Sequence, residues 1–156
     1  MKTPTTLFYG ARTAEELFYL DFFEELGIKL ALTTEDGARG VKGRVTIPLE
    51  AALKALGAEA SAKAAVGPSG AMVYACGPEP MLEAVARLAA RYNQRSQVSV
   101  ERVMGCGLGG CYSCVVPVKR RHDLSSEAPG AKEEHANLVR SCISGPVFDG
   151  AELVWE

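Results

Sequence analysis

Four of the five cysteines in this chain follow a spacing that restricts how the chain can fold around them. Three lie within nine residues and one stands alone downstream, giving C-x4-C-x2-C…C with Cys106, Cys111, Cys114 and Cys142. This spacing is typical of plant-type [2Fe–2S] clusters, which four thiolates hold. The sequence therefore predicts that a loop and a distant segment meet around a metal cluster capable of one-electron transfer.

Glycines surround the first three cysteines and support this interpretation. Residues without a Cβ atom adopt positive φ and let backbone N–H groups approach sulfur closely. Such hydrogen bonds stabilise the reduced cluster and raise its potential. Residues 105–110 also match the letters GxGxxG. A dinucleotide fingerprint needs a following helix, whereas the strand-like residues 115–118 follow here, so we assign these glycines to the cluster.

Two other uses of the cysteines remain as alternatives. Structural zinc also takes four cysteines, although usually as two separated pairs of ligands. A redox pair formed by Cys111 and Cys114 is the second alternative, but it leaves Cys106 unexplained.

Composition limits the classes of partner and the compartment. The chain has 156 residues and a net charge of −2, which gives no reason to expect nucleic acid or an anionic membrane as partner. It contains no apolar run long enough for a membrane span and no signal-peptide pattern at its start. We expect a cytoplasmic, reducing location, where five cysteines are four ligands and one spare thiol.

Strand-like and helix-like segments alternate over residues 5–95. Thr13 and Glu16 form a capping-box pattern that predicts a helix ending at Gly27. Residues 71–75 are a short apolar run, as expected of a buried parallel strand, and a helix pattern follows Pro78. Strands separated by helices favour a parallel sheet with right-handed crossovers.

The pattern changes near residue 97, and this change sets the predicted organisation. The fold class is α/β, with a partial parallel-sheet nucleotide-binding domain followed by a small β-rich [2Fe–2S] cluster domain. We place the first domain at residues 1–96 and the second at residues 97–156. Within the second, residues 119–135 are too polar to bury and predict a surface loop.

A candidate nucleotide site follows the buried strand at residues 71–75. Ligands of open α/β sheets bind at the carboxyl ends of strands, and a helix N-terminus favours anionic groups. Two short segments follow strands in this way and supply the candidates Cys76, Gly77, Pro78 and Glu79, together with Asp36 and Gly37. A core cysteine at position 76 and a simple turn residue at position 36 are the structural alternatives.

Three segments together resemble a known family. They are YACGPEPML at residues 74–82, ERVMGCGLGGCYSCVV at residues 101–116 and CISGPVFD at residues 142–149. In content and order they resemble the electron transfer subunits of NAD-dependent dihydroorotate dehydrogenases, which belong to the ferredoxin reductase-like flavoproteins.

The resemblance implies a function and a set of site residues. Members of the family take a hydride from NADH onto FAD and pass single electrons through a [2Fe–2S] cluster. The acceptor is a partner subunit that carries FMN and oxidises dihydroorotate in pyrimidine biosynthesis, so we expect a hetero-oligomer. The four cysteines of the spacing pattern would be the cluster ligands. Cys76 to Glu79 would lie beside the nicotinamide, and Asp36 and Gly37 in a loop of the nucleotide domain.

The sequence also departs from the family pattern. Family members begin with a flavin-binding barrel and a glycine-rich GGxGxxP turn, and neither is found here. We therefore expect a nucleotide domain without its first strand and phosphate loop. FAD and NAD(H) would bind in the complete subunit and not to this chain alone, which would not be catalytic by itself. The alternatives are a related ferredoxin–NADP reductase or sulfhydrogenase subunit, or a zinc-stapled interaction module.

Overall fold

The computed structural model describes residues 3–62, 71–119 and 137–155. It groups the chain into two compact units, Met1–Ala65 and Val66–Glu156. Each unit contains its own three-stranded sheet. Most of the polar segment predicted to be a surface loop, residues 120–135, lies outside the described residues.

The first unit is built on a parallel sheet in the order β1-β2-β3. Its strands are β1 (Thr6–Ala11), β2 (Lys29–Thr34) and β3 (Val41–Lys42), and its helices are α1 (Leu20–Glu25) and α2 (Thr46–Ala62). The β1 and β2 strands pair over their full lengths, from Thr6 opposite Lys29 to Ala11 opposite Thr34. This alternation of strands and helices matches the prediction for the N-terminal part.

The first helix differs from its prediction at the N-terminus. The Thr13 hydroxyl makes no side-chain cap. The Glu16 carboxylate accepts hydrogen bonds from the backbone N–H groups of Thr13 and Arg12, the latter at 3.0 Å, and from the Arg12 guanidinium at 2.8 Å. Only a short 3-10 turn forms there, and Tyr19, with φ of 59°, separates it from α1. The hydroxyl half of the predicted capping box is therefore absent, whereas its carboxylate half is formed. The predicted end of the helix at Gly27, with φ of 68°, is confirmed.

The second unit combines a sheet, a helix and a hairpin. The sheet has the order β4-β5-β8 and consists of β4 (Met72–Cys76), β5 (Arg95–Ser99) and β8 (Val147–Asp149). Strands β4 and β5 are parallel and are joined by α3 (Glu79–Arg91), while β8 runs antiparallel to β5. The hairpin pairs β6 (Val115–Val118) with β7 (Asn137–Arg140), and the short helix α4 (Ser141–Ser144) follows directly.

One apolar core connects these parts of the second unit. The buried face of α3 repeats at helical spacing and includes Leu82, Val85, Ala86 and Ala89. Leu82 packs with Val98 of β5, Phe148 of β8 and Val116 of β6. The hairpin next to the cysteines therefore shares a core with the parallel strands. The predicted domain boundary between residues 96 and 97 falls inside β5, and that division stays a prediction.

The α/β class predicted from the sequence is confirmed, with parallel pairing in both three-stranded sheets. Within the described residues, no helix has both the length and the apolar character that a membrane crossing requires.

Candidate metal centre

The first three cysteines lie on an irregular loop that precedes β6. Gly107, Gly109 and Tyr112 have φ of 66°, 79° and 57°, in the left-handed region that glycine adopts at little cost. The hydroxyl of Ser113 donates to the carbonyl oxygen of Val103 at 3.0 Å and closes the loop at its base. These turns direct several backbone N–H groups inward, towards the cysteine sulfurs.

Cys106 and Cys111 form the first pair of sulfurs. The backbone N–H groups of Cys111 and Leu108 donate to the Cys106 sulfur and lower the pKa of Cys106 to about 6. The Leu108 nitrogen lies 3.4 Å from that sulfur. The Cys111 thiol also donates to Cys106. Gly105 lies against this pair, since a Cβ atom at its position would be 3.2 Å from the Cys111 sulfur.

Cys114 and Cys142 form the second pair, which the hairpin brings together. In β6 and β7, Val115 lies opposite Arg140, so the residues next to each strand end are also close. The backbone N–H of Ser141 donates to the Cys114 carbonyl oxygen at 3.0 Å. The backbone N–H and the thiol of Cys142 donate to the Cys114 sulfur and lower the pKa of Cys114. Donation to Cys114 correspondingly raises the pKa of the Cys142 thiol.

The two pairs lie against each other. The backbone N–H of Gly109 donates to the Cys142 sulfur, and negative charge on Cys106 acts on Cys142. A Cβ atom at Gly109 would overlap the Ile143 side chain, which shows how closely the loop packs on α4. The four cysteines singled out by their spacing therefore meet in one place, as free thiols.

The arrangement suits two metal ions better than one. Each iron of a [2Fe–2S] cluster takes two protein ligands, so two adjacent pairs of thiols match its donor requirement. Over the part of the chain that the structure describes, no group of three cysteine, histidine or carboxylate side chains is placed to hold a metal ion. Zinc stays the alternative occupant of these cysteines, which metal analysis tests.

The site is open on one side. Cys114 is buried at 3 % exposure, whereas Cys106 and Cys111 are exposed. Leu108 is 88 % exposed and Val103 is 81 % exposed, so the rim of the loop presents apolar side chains to solvent. The first pair of sulfurs is thus near the surface, and the second lies next to the core of the unit.

Sequence reasoning missed Arg140, which contacts this loop from β7. Its Nη1 atom donates to the Gly109 carbonyl oxygen at 2.6 Å, and its guanidinium lies 4.9 Å from the centroid of the Tyr112 ring. An arginine two positions before a lone cysteine carries no recognised motif. The contact joins residues 31 positions apart, so only the fold reveals it.

The candidate nucleotide residues of the second unit lie where β4 passes into α3. Cys76 is the last residue of β4 and is exposed, Gly77 has φ of 149°, and Glu79 begins α3 after Pro78. The Arg102 guanidinium donates two hydrogen bonds, of 2.7 and 2.9 Å, to the Glu79 carboxylate, and these lower the pKa of Glu79. An ion pair therefore joins the predicted nucleotide segment to the segment that leads from β5 to the cysteines.

Asp36 and Gly37 lie in the first unit, two and three residues after the end of β2. The Asp36 carboxylate accepts a hydrogen bond from the Ala38 backbone N–H at 2.9 Å, which lowers the pKa of Asp36. Gly37 has φ of 81°. These are the contacts of a turn, as the structural alternative describes, and a role in nucleotide binding stays a prediction.

Two family descriptions match the chain. "Iron-sulfur cluster binding domain of dihydroorotate dehydrogenase B" matches residues 101–154, and "Oxidoreductase NAD-binding domain" matches residues 1–87. These matches confirm the prediction of an NAD-binding-like part followed by an iron–sulfur part.

Curated relatives agree with this pair of matches. A protein of Methanocaldococcus jannaschii named "Probable dihydroorotate dehydrogenase B (NAD(+)), electron transfer subunit" is 39% identical over 95% of this chain and 46% of its own length. A Desulforamulus reducens protein named as the same electron transfer subunit is 29% identical over 100% of this chain and 50% of its own length. The chain spans about half the length of the curated relatives it matches.

A solved structure is also similar. It is described as that of an NADH-dependent reduced ferredoxin–NADP oxidoreductase, studied for flavin-based electron bifurcation. It matches with a TM-score of 0.61 and 26% identity, over 94% of this chain and 42% of the other. The resemblance derived from the three sequence segments is confirmed by these comparisons. The chain belongs to the family of oxidoreductase NAD-binding domains and carries, in residues 101–154, the iron–sulfur cluster binding domain of dihydroorotate dehydrogenase B.

Proposed function

We propose that this chain holds a [2Fe–2S] cluster and serves in the electron transfer subunit of an NAD-dependent dihydroorotate dehydrogenase. The observation that carries the proposal is the meeting of two thiol pairs on one loop and one hairpin, with backbone N–H groups donating to their sulfurs. The relatives named as electron transfer subunits support the same function.

In this proposal each pair of cysteines holds one iron. Cys106 and Cys111 form the exposed pair, and Cys114 and Cys142 form the pair next to the core. A cluster of this type, when bound, accepts and donates one electron at a time. The N–H groups of Leu108 and Gly109 then stabilise negative charge on the sulfurs, and the hairpin core keeps the second pair in place.

The surface around the first pair suits a redox partner. The exposed apolar rim formed by Val103 and Leu108 provides area that a partner protein can cover. We propose that the partner is the catalytic subunit, that it carries FMN, and that it exchanges electrons with the cluster while dihydroorotate is oxidised. The complex acts in pyrimidine biosynthesis in the cytoplasm, where the five free cysteines stay reduced.

The nucleotides belong to the complete subunit. The likeness to a ferredoxin–NADP oxidoreductase supports FAD and NAD(H) as its cofactors. We propose that Cys76, Gly77, Pro78 and Glu79 lie beside the nicotinamide, and that Asp36 and Gly37 line the nucleotide loop. In this proposal the cluster of this chain provides the route by which electrons leave the flavin.

The experiment is a reduction of the chain by its proposed partner. After anaerobic reconstitution with iron and sulfide, the full chain is expected to be red-brown and to bleach with dithionite. Adding the catalytic subunit and dihydroorotate should bleach it as well, whereas dihydroorotate alone should not. Cys142→Ser should give no coloured protein, and Cys76→Ser should behave like the wild type. A wild-type protein that stays colourless after reconstitution contradicts the proposal.

A second candidate is the corresponding subunit of an NADH-dependent ferredoxin–NADP oxidoreductase, which the structural likeness favours. Both candidates predict the same cluster and differ in the partner. Reduction of the cluster through the dihydroorotate-oxidising subunit supports the first candidate. A cluster that ignores this subunit but equilibrates with reduced ferredoxin supports the second.

A further inference from the structure

Arg140 is the cationic side chain that the structure places on the cysteine loop. It ends β7, two positions before Cys142, and its backbone lies opposite Val115 in the hairpin. Its side chain reaches the loop, where Nη1 donates to the Gly109 carbonyl oxygen at 2.6 Å. Arg140 is thus anchored by the hairpin at one end and by the loop at the other.

The same side chain also holds the outer part of the loop. The guanidinium carbon lies 4.9 Å from the centroid of the Tyr112 ring, within the range of a cation–π contact. Tyr112 has φ of 57°, a conformation that non-glycine residues keep only when their surroundings support it. Gly109 and Tyr112 flank Cys111, so one arginine contacts the loop on both sides of this residue, through a backbone carbonyl and an aromatic ring.

The guanidinium of Arg140 also brings a positive charge to the loop that carries the first three sulfurs. Reduction of a cluster held by four thiolates adds negative charge to a site that is already anionic. A fixed cation beside it stabilises the reduced form more than the oxidised form. Ion pairs of the described residues involve Arg12, Arg87 and Arg102, and none of these pairs includes Arg140.

We propose that Arg140 is a positioning residue of the cluster site, which fastens the loop around Cys111 and raises the reduction potential of the cluster. This inference rests on the proposed function, because the potential belongs to a bound cluster. The fastening, however, is a property of the chain without a cluster. The two parts can therefore be measured separately.

The first measurement is the midpoint potential of the reconstituted full chain, in a redox titration monitored by electron paramagnetic resonance. For Arg140→Gln we expect the equilibrium between reduced and oxidised cluster to shift about tenfold towards the oxidised form, equivalent to about 59 mV. Arg140→Lys keeps the charge and should stay within about threefold of the wild type. Arg87→Gln is the matched control, since it removes a charge that pairs within α3 with Glu83.

The second measurement is amide hydrogen exchange in the cluster-free full chain. The reporters are the N–H groups of Leu108, Gly109 and Cys111, which donate to cysteine sulfurs. In Arg140→Gln they should exchange about tenfold faster than in Arg87→Gln, because the loop opens more often. Equal exchange rates of these N–H groups in the two variants would show that Arg140 does not hold the loop in place.

The outcomes separate this inference from the proposed function. The resonance signal comes only from molecules that carry a cluster, so partial loading does not hide the potential. If the potential of Arg140→Gln equals that of the wild type, the proposed effect of charge is wrong. It is also wrong if the potential of Arg140→Lys falls as far below the wild type as that of Arg140→Gln. If Arg140→Gln takes up no cluster while Arg140→Lys does, a positive charge at this position is needed at the site, which supports the effect of charge. A wild-type chain that takes no cluster contradicts the proposed function, and hydrogen exchange then still decides the fastening.

Discussion

The sheet region and the cysteine loop of the second unit are stabilised in different ways. In the sheet region, Leu82 of α3 and Val98 of β5 are 1 % and 0 % exposed and pack in one apolar core. In the loop, Leu108 is 88 % exposed, and order comes from N–H groups that donate to sulfur and from left-handed backbone conformations. The comparison indicates that packing in one region supplies the stability on which the chemistry of the other depends.

The cysteine loop depends on the sheet region more than the sheet region depends on the loop. Val116, which follows the loop by two residues, belongs to the same core as Leu82 and Phe148. Loss of packing should therefore release the loop as well, whereas a change in the loop should leave the sheet folded. Such asymmetry is common where a functional loop is carried by a rigid scaffold.

The largest expected effect follows from removing core packing. Leu82→Ala should lower the free energy of unfolding by about 2–5 kcal/mol, because it removes buried methyl groups and leaves a cavity. Urea denaturation followed by circular dichroism measures this change. The control Leu138→Ala removes the same atoms from a side chain that is 64 % exposed, and should cost less than about 0.5 kcal/mol. Similar losses in the two variants contradict the assignment of the core.

Alanine substitutions at three loop glycines sharpen the comparison from the other side. Gly109→Ala meets both a positive φ and the Ile143 side chain, whereas Gly107→Ala meets only a positive φ. Gly110→Ala meets neither and is the control. Each left-handed alanine costs about 1 kcal/mol locally. We expect cluster retention to fall most in Gly109→Ala, less in Gly107→Ala and little in Gly110→Ala.

The same three variants should unfold in urea much like the wild type, since the loop contributes little to the core. Visible absorbance after gel filtration measures cluster retention, and circular dichroism measures unfolding. Equal retention in all three variants means that the left-handed conformations are not needed for the site. A large loss of unfolding free energy in Gly109→Ala means that the loop and the sheet depend on each other equally.

The smallest expected effect concerns the ion pair between the two regions. Glu79 begins α3, and Arg102 lies on the segment that leads from β5 to the cysteines. The pair is partly exposed, with side chains 48 % and 27 % accessible, so Glu79→Gln should cost about 0.5–1 kcal/mol at neutral pH. The control Glu83→Gln breaks an i,i+4 pair with Arg87 and should cost about 0.3–0.5 kcal/mol.

This contribution should depend on pH in a definite direction. Arg102 lowers the pKa of Glu79 in the folded protein below the unfolded value of about 4.3. The stabilisation is therefore fully present above about pH 4.3 and is lost as the pH falls through the lower folded pKa. Unfolding of the wild type and Glu79→Gln in urea between pH 7 and pH 3 measures it. A difference that grows on acidification contradicts the assignment of the pair.

The sequence predicted those features that depend on local pattern. The apolar run at residues 71–75 and the prolines after it led to β4 and α3. The expected burial of this strand was wrong, because no residue of Met72–Cys76 is buried and Tyr74 is 72 % exposed. The spacing of the cysteines singled out four side chains that contact one another in the fold, and their role as cluster ligands stays a prediction. The helix predicted to run on from Thr13 is interrupted, because Tyr19, with φ of 59°, separates a short 3-10 turn from α1.

Contacts between distant segments could not be predicted in the same way. Arg140 reaches Gly109 across 31 positions, and Arg102 reaches Glu79 across 23. No local pattern distinguishes either arginine. The sequence around an arginine that contacts a distant segment does not differ from that around an arginine exposed to solvent. Their contacts depend on the shared core that brings the hairpin, the loop and α3 together.

The central claim is that Cys106, Cys111, Cys114 and Cys142 hold one binuclear cluster, and counting atoms tests it most directly. Iron, zinc and acid-labile sulfide are measured in the anaerobically reconstituted wild type and in single Cys→Ser variants of all five cysteines. The account predicts about two irons and two sulfides per chain in the wild type and in Cys76→Ser, and their loss from each of the other four variants. One zinc without sulfide in the wild type, or a full complement of iron and sulfide in Cys142→Ser, contradicts it.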